Sequence, residues 1–282
     1  MQQAFAHCEA LVRAADRDRF LATLFAPRER RGALFALYAF NVEIARVREV
    51  VRDPVAGEIR LQWWSDVLAG DGRGEIEAHP VASALRASVA RYGLPPERLQ
   101  TTISARRFDL YDEPMATLAD LEAYADGASS SLVALAAQIV NGGAPDIDAL
   151  SHHAGRAQAI AGLLKAFPFH AARGQLFVPL ELLERHGADR EDVRLGRATP
   201  QLRSALADLR DNARHHLRQA QDMARTVSPD VMPVLLPVAL AGATLARMER
   251  GDYDPFVPVE IAPWRRQWLI WRAARRPSRI FR

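Results

Sequence analysis

Three groupings in the 282-residue sequence carry side chains able to do chemistry. Two adjacent histidine pairs, His152–His153 and His215–His216, suggest metal ligation. Neighbours on a helix point about 100° apart, however, and cannot close on one ion, so solvated or capping rings are the plainer reading. Ser129, Ser130 and Ser131 offer hydroxyl nucleophiles. No histidine stands at a motif-like spacing and no strand–turn–helix elbow surrounds them, so they read as small residues that let helices approach closely. The third comprises two separate charged stretches: Glu43, Arg46, Arg48 and Glu49 in "LFALYAFNVEIARVREVV", and Lys165, His170 and Arg173 in "KAFPFHAARG". Taken alone, Arg46 and Arg48 can pair with Glu43, Glu49 or Asp53 on a helix surface.

Helices must position all of them. Apolar residues recur at helical spacing, and no stretch shows the sustained alternation of a half-buried strand, so the fold class is all-α. The pattern predicts helices over 4–24, 28–51, "EIRLQWWSDVLAG", "HPVASALRASVARYG" with Gly93 as its cap, 96–110, 117–140, 147–167, 200–226, 230–249 and 262–276. The helix from 147 is expected to stop at Phe167, because Pro168 pushes the preceding residue out of the α region. A glycine-rich loop, "GDGRGE", and "NGGAPD" punctuate the series, but no long linker or repeat divides it. One domain over 1–282 is expected, with its core at about 15–275 and a basic tail at 277–282.

Composition narrows the setting. Cys8 is the single cysteine, which rules out an intrachain disulfide and fits a reducing compartment. The formal net charge is only +3, and Lys165 is the sole lysine among the basic residues. Without a broad basic patch or binding motif, nucleic acid is not an expected partner. The N-terminal stretch lacks the apolar run of a signal peptide, and "VMPVLLPVALAGATLA" falls short of the roughly 20 residues that cross a bilayer, so it reads as a buried helix. The expected location is cytoplasmic.

The pieces "PRERRGALFALYAF", "GRAQAIAGLL" and "RGQLFVPLELLERHG" occur in an order that resembles the squalene and phytoene synthase family from about residue 15 to 275. The resemblance implies an isoprenoid synthase-like helical bundle around a central cavity. It also implies a reaction in which two prenyl diphosphates bind through Mg²⁺, held by two aspartate pairs at i, i+4 on facing helices. Carried over, the first pair falls at Ala45 and Glu49, and the second at Ala166 and His170. Only Glu49 offers a carboxylate. Asp126 in "YADGASSS" is the best spare acid, while Glu43 is expected to face away from the cavity. No catalytic residue, metal site or cofactor is therefore assigned, and Mg²⁺ enters only if an atypical transferase survives.

The departures themselves, together with "QWW" and "DYDPF", resemble a non-catalytic branch of the family, the squalene/phytoene-synthase-like assembly factors of respiratory complex I. That implies a pseudoenzyme with a protein partner in complex I assembly. Its setting would be the inner face of a bacterial inner membrane, or the matrix side in a mitochondrion. Two alternatives stay open: a prenyltransferase with an unusual metal site, and a lipid or isoprenoid binder without turnover. For the latter, Arg46, Glu49, Asp126, Lys165, Phe167, Phe169, His170 and Arg173 are the candidate ligand contacts.

Tryptophans supply the candidates for membrane or partner contact. Trp63 and Trp64 are adjacent, so only one can point squarely into a core. Trp264, Trp268 and Trp271 recur at i, i+4 and i+7 in a segment with seven arginines and no acid between residues 261 and 282. Such a helix either lies on an anionic membrane surface or packs against the bundle with a frayed basic tail.

Overall fold

Caps and prolines mark most helix boundaries in the computed structural model, which describes residues 1–51, 53–71, 78–143 and 146–281. The described residues contain no strand. α1 (Gln2–Ala15) gives way to α2 (Arg17–Thr23) where the Asp16 carboxylate accepts the Arg19 N–H at 3.1 Å. The single helix expected over 4–24 is thus two, because aspartate competes for backbone donors and caps a new start. α3 (Arg28–Ala45) likewise ends at Arg46, whose φ of −93° and ψ of 1° interrupt the helix before the short α4 (Val47–Val50).

Proline opens α5 (Pro54–Ala69), α6 (Pro80–Tyr92) and α7 (Pro96–Arg107), as its missing N–H permits in a first turn. Gly93 ends α6 in left-handed backbone at φ +59°. α8 (Leu118–Ala125) starts from a capping box between Thr117 and Asp120. It runs into a π-helical turn at Asp126–Ser130 before α9 (Ser131–Asn141), so the helix expected over 117–140 is interrupted by a wider turn. Residues 72–77 of the glycine-rich loop, and 144 and 145, lie outside the described residues.

α10 (Asp148–Ala172) is the axis of the molecule. It passes through Pro168 instead of stopping at Phe167. Burial of Phe167 against Phe256, with ring centroids 5.4 Å apart, and of Ala171 anchors the turns around the proline, so tertiary packing overrides the local preference. α11 (Leu180–His186), α12 (Arg190–Arg194) and the long α13 (Pro200–Met223) follow, and α13 packs along α10. α14 (Met232–Leu235), α15 (Ala239–Met248) and α16 (Pro263–Arg275) complete the bundle. The stretch Pro229–Met248 is long and apolar enough to cross a membrane, but 72% of its most apolar window is buried inside the protein.

Buried apolar side chains form one cluster from Cys8 to Phe281. The core therefore exceeds the expected 15–275. Ile280 is wholly buried and Phe281 nearly so, which docks the segment after α16 against the bundle where a frayed tail was expected. Arg282 lies outside the described residues.

The tightest approach joins α10 to the π-helical turn. A methyl group on Gly155 would run into the backbone of Ser130, which cannot yield as a side-chain tip would. Gly155→Ala is expected to destabilise the fold by about 1–3 kcal/mol through overpacking. The check is a lower urea midpoint at unchanged slope; an unchanged midpoint would contradict the contact.

Candidate functional site

A central cavity of about 310 Å³ opens between the α1–α2 junction, α3, α10 and α15. Asn41 reaches it from α3, and Gln158, Gly162 and Lys165 line one face of α10. Arg106, Tyr124 and Ser129 contribute from α7, α8 and the π-helical turn, while Leu240, Ala241 and Thr244 add the α15 side. The site is thus polar at several points and apolar between them.

Its polar groups fall into two kinds. Some are already paired: Arg19 holds Asp16 at 2.6 Å, and Arg266 Nε holds Asp18 at 3.0 Å. Arg106 donates to Tyr124 Oη at 2.9 Å and to Asp109 at 3.2 Å, and Tyr124 donates to Asp109 at 2.8 Å. Burial pushes the Tyr124 hydroxyl up, which keeps it a donor to Asp109. Other groups have nothing to bond. Asn41 Oδ1, Ser129 Oγ and Arg106 Nε are buried without a hydrogen-bond partner. Asn41 is 6% and Ser129 5% exposed. Such orphans carry a desolvation cost of about 1–3 kcal/mol each unless something in the cavity satisfies them. Lys165 makes no ion pair or hydrogen bond with the described residues; burial first, and Arg266 next, push its ammonium below the usual lysine range.

Of the candidate ligand contacts read from the sequence, only Lys165 lines this cavity. Ala45 and Ala166 each stand one helical turn beyond a lining residue, Asn41 and Gly162. Glu49 does not follow them. The break at Arg46 sends it to the surface, where it faces Arg46 at 3.5 Å with about half of each side chain exposed. His170 lies five residues past Lys165, about 140° round the helix. It therefore packs on Phe177, with centroids 4.5 Å apart, and lines a separate narrow crevice with Phe167 and Leu209. Phe169 and Arg173 are exposed beyond the cavity. Glu43 faces His79 at 3.4 Å, and Arg48 faces Asp112 at 3.3 Å.

Asp126 is also redirected, from spare cavity ligand to structural anchor. Arg156 grips it with two bonds of 2.6 and 2.9 Å, His152 adds one of 2.9 Å, and Ser130 Oγ one of 3.0 Å. Burial works against its charge, yet the Arg156 and His152 bonds hold the carboxyl below its usual range. Arg156 also reaches Glu122 at 2.7 Å, and Glu122 accepts from Asn212 at 3.0 Å. The paired histidines enter this network. His153 and His216 meet at 2.8 Å across α10 and α13, and His216 Nε2 lies 3.1 Å from Glu122. They partner residues on other helices, where solvated rings were expected.

Trp64 is wholly buried, edge-on to Phe40 at 5.0 Å, and so offers no partner a surface. Trp63 is half-buried beside His79. Trp264, Trp268 and Trp271 stand on the surface.

These residues do not fit a Mg²⁺ cluster. Hard divalent cations demand several carboxylate oxygens, and the two acids at the cavity are committed to Arg19 and Arg266 while Glu49 points elsewhere. The sequence reading missed Asn41, Ser129, Arg106 and the Asp16–Asp18 edge; a lone amide inside the apolar run "LYAFNVEI" was the available signal for the first.

The family model for squalene/phytoene synthase matches residues 12–272. The human protein described as NADH dehydrogenase (ubiquinone) complex I, assembly factor 6 is 31% identical over 254 residues, which cover 89% of this chain and 76% of that one. Presqualene diphosphate synthase of Rhodopseudomonas palustris is 30% identical over 197 residues, covering 69% of each. The crystal structure of squalene synthase HpnC from Alicyclobacillus acidocaldarius superposes with a TM-score of 0.75 at 25% identity, covering 90% of this chain and 96% of that one.

The histidine placements give a pH dependence. Burial, then Arg173, push the His170 ring down to about 4, and burial, foremost among several causes, also lowers His153 and His216. Unfolded histidine titrates near pH ~6.5. Below that value the unfolded chain binds more protons than the folded one, so stability falls as pH drops from about 6.5 toward 4. His170→Gln is expected to flatten this part of the curve, read as urea midpoints at pH ~7.5 and ~5. An equally steep loss in the variant would show that His170 is not among the groups responsible.

Proposed function

This chain belongs to the squalene/phytoene synthase family, and we propose that it works there without catalysis, as an assembly factor for respiratory complex I, the NADH:ubiquinone oxidoreductase. The observation that carries this reading is the likeness to the human assembly factor, spread over 89% of this chain and not confined to one motif. Its partners are then components of that complex. Its place of work is the membrane where the complex is built: the inner face of the inner membrane in a bacterium, the matrix side in a mitochondrion.

The chemistry of the site supports the non-catalytic half. Ionising an allylic diphosphate requires hard cations gathered by carboxylates. Here the equivalents of the four aspartates are Ala45, Glu49, Ala166 and His170, and the acids at the cavity edge are neutralised by arginine. Prenyl transfer of the kind named for the Rhodopseudomonas protein is the competing reading, and this donor set disfavours it.

A second reading rests on the cavity itself. Lys165, an ammonium with no direct ion pair among the described residues, stands beside the unbonded Asn41 Oδ1 and Ser129 Oγ and the apolar Leu240 and Ala241, a set that suits an amphiphile with an anionic head. Binding of this sort outlasts the loss of catalysis, because the two make separate demands on a site. The shape of a family cavity is then kept to hold a lipid or prenyl chain without turning it over.

Given farnesyl or geranylgeranyl diphosphate with Mg²⁺ and NADPH, the pure protein is expected to form no C30 or C40 product; such a product would overturn the non-catalytic reading. Deleting the gene in its own host is expected to lower complex I activity and subunit levels, and unchanged levels would end the assembly reading. For the cavity, native mass spectrometry of the purified protein should show a bound amphiphile that Lys165→Met loses; an identical ligand content in both would remove Lys165 from the site.

A further inference from the structure

On the outer side of α16 three tryptophans stand in water: Trp264 is 70% exposed, Trp268 45% and Trp271 47%. Their spacing puts them on one line along the helix. The opposite side of α16 carries the fully buried Ile270 and Ala273, and its Arg266 turns inward to Asp18. The helix is fixed on the bundle from within, and the buried Ile280 and Phe281 pin the chain just past its end. The tryptophan face is therefore a rigid surface.

The charge of the segment that carries that face is one-sided. Residues 261–282 hold seven arginines and no acid, while the whole chain has a formal net charge of only +3, so the remainder of the molecule is net acidic. Arg272 lies over the Trp268 ring at 4.8 Å, and Arg275 over Trp271 at 5.0 Å. Neither they nor Arg265 and Arg276 pair with a carboxylate among the described residues. Aromatic rings capped by guanidinium groups match a boundary that is apolar on one side and anionic on the other. A protein partner with an acidic, aromatic-binding groove would need a matching shape, whereas a straight line of rings on a flat helix face needs only a plane.

We propose that the outer face of α16 is a docking surface for an anionic lipid bilayer, with Trp264, Trp268 and Trp271 entering the interfacial layer and Arg272 and Arg275 meeting the head groups. This goes beyond the assembly reading and does not depend on it. α16 and Ile261 before it also line the central cavity, so a docked molecule holds that cavity directly behind the membrane-facing helix.

The test uses the intact protein and vesicles of phosphatidylcholine with or without phosphatidylglycerol. Binding is expected to the anionic vesicles and to fall steeply with salt, since the attraction acts over about 10 Å or less. Arg272→Gln with Arg275→Gln should weaken partitioning by roughly tenfold or more, and Trp268→Ser with Trp271→Ser should weaken it comparably. Ile59→Ser, at an exposed apolar residue on α5, should leave it unchanged. Quenching of wild-type tryptophan emission by brominated anionic lipids needs no variant and is expected to be strong. No binding by the folded protein, equal binding by all variants, or loss of a dimer in place of loss of lipid binding would overturn the proposal.

Discussion

Arg156 lies partly out of water between Glu122 and Asp126, and the shape of the cavity follows from that clamp. A guanidinium taken from water needs its charge matched and its donors filled, and two carboxylates from one helical stretch do both. The clamp ties α10 to the segment around the π-helical turn, where Gly155 admits the backbone of Ser130. With those two elements in contact, Ser129 is presented to the cavity from one side and Gly162 and Lys165 from the other. His216 and Asn212 extend the same network to α13, so three helices share one polar junction beside an otherwise apolar core.

The cavity carries its acidic charge in ion pairs. Its acids face arginines, and its orphaned polar atoms stand singly among apolar side chains. Breaking a carbon–oxygen bond requires charge stabilisation that grows in the transition state, and the two acids at this cavity are already paired with arginine.

The helices were legible in the sequence because they are written in strong local signals: the prolines that open α5, α6 and α7, Gly93 and the Thr117–Asp120 box. The breaks at Asp16 and Arg46 and the π-helical turn were not, since a polar residue at those places is compatible with a continuous helix until packing selects otherwise. The same gap explains the site. Correspondence of positions placed Ala45 and Ala166 one turn from the cavity, but helix phase beyond Arg46, and the 140° step from Lys165 to His170, about five residues of rotation, decided where Glu49 and His170 point. Asp126 was noticed for its charge, while its partners Arg156 and His152, thirty and twenty-six positions away, belong to another helix.

The ion pair between Asp18 and Arg266 joins residues 248 positions apart. That edge of the cavity therefore forms only when α16 docks on the α1–α2 junction. The pocket thus depends on a contact between distant parts of the chain as well as on the helices α3 and α10 that line it.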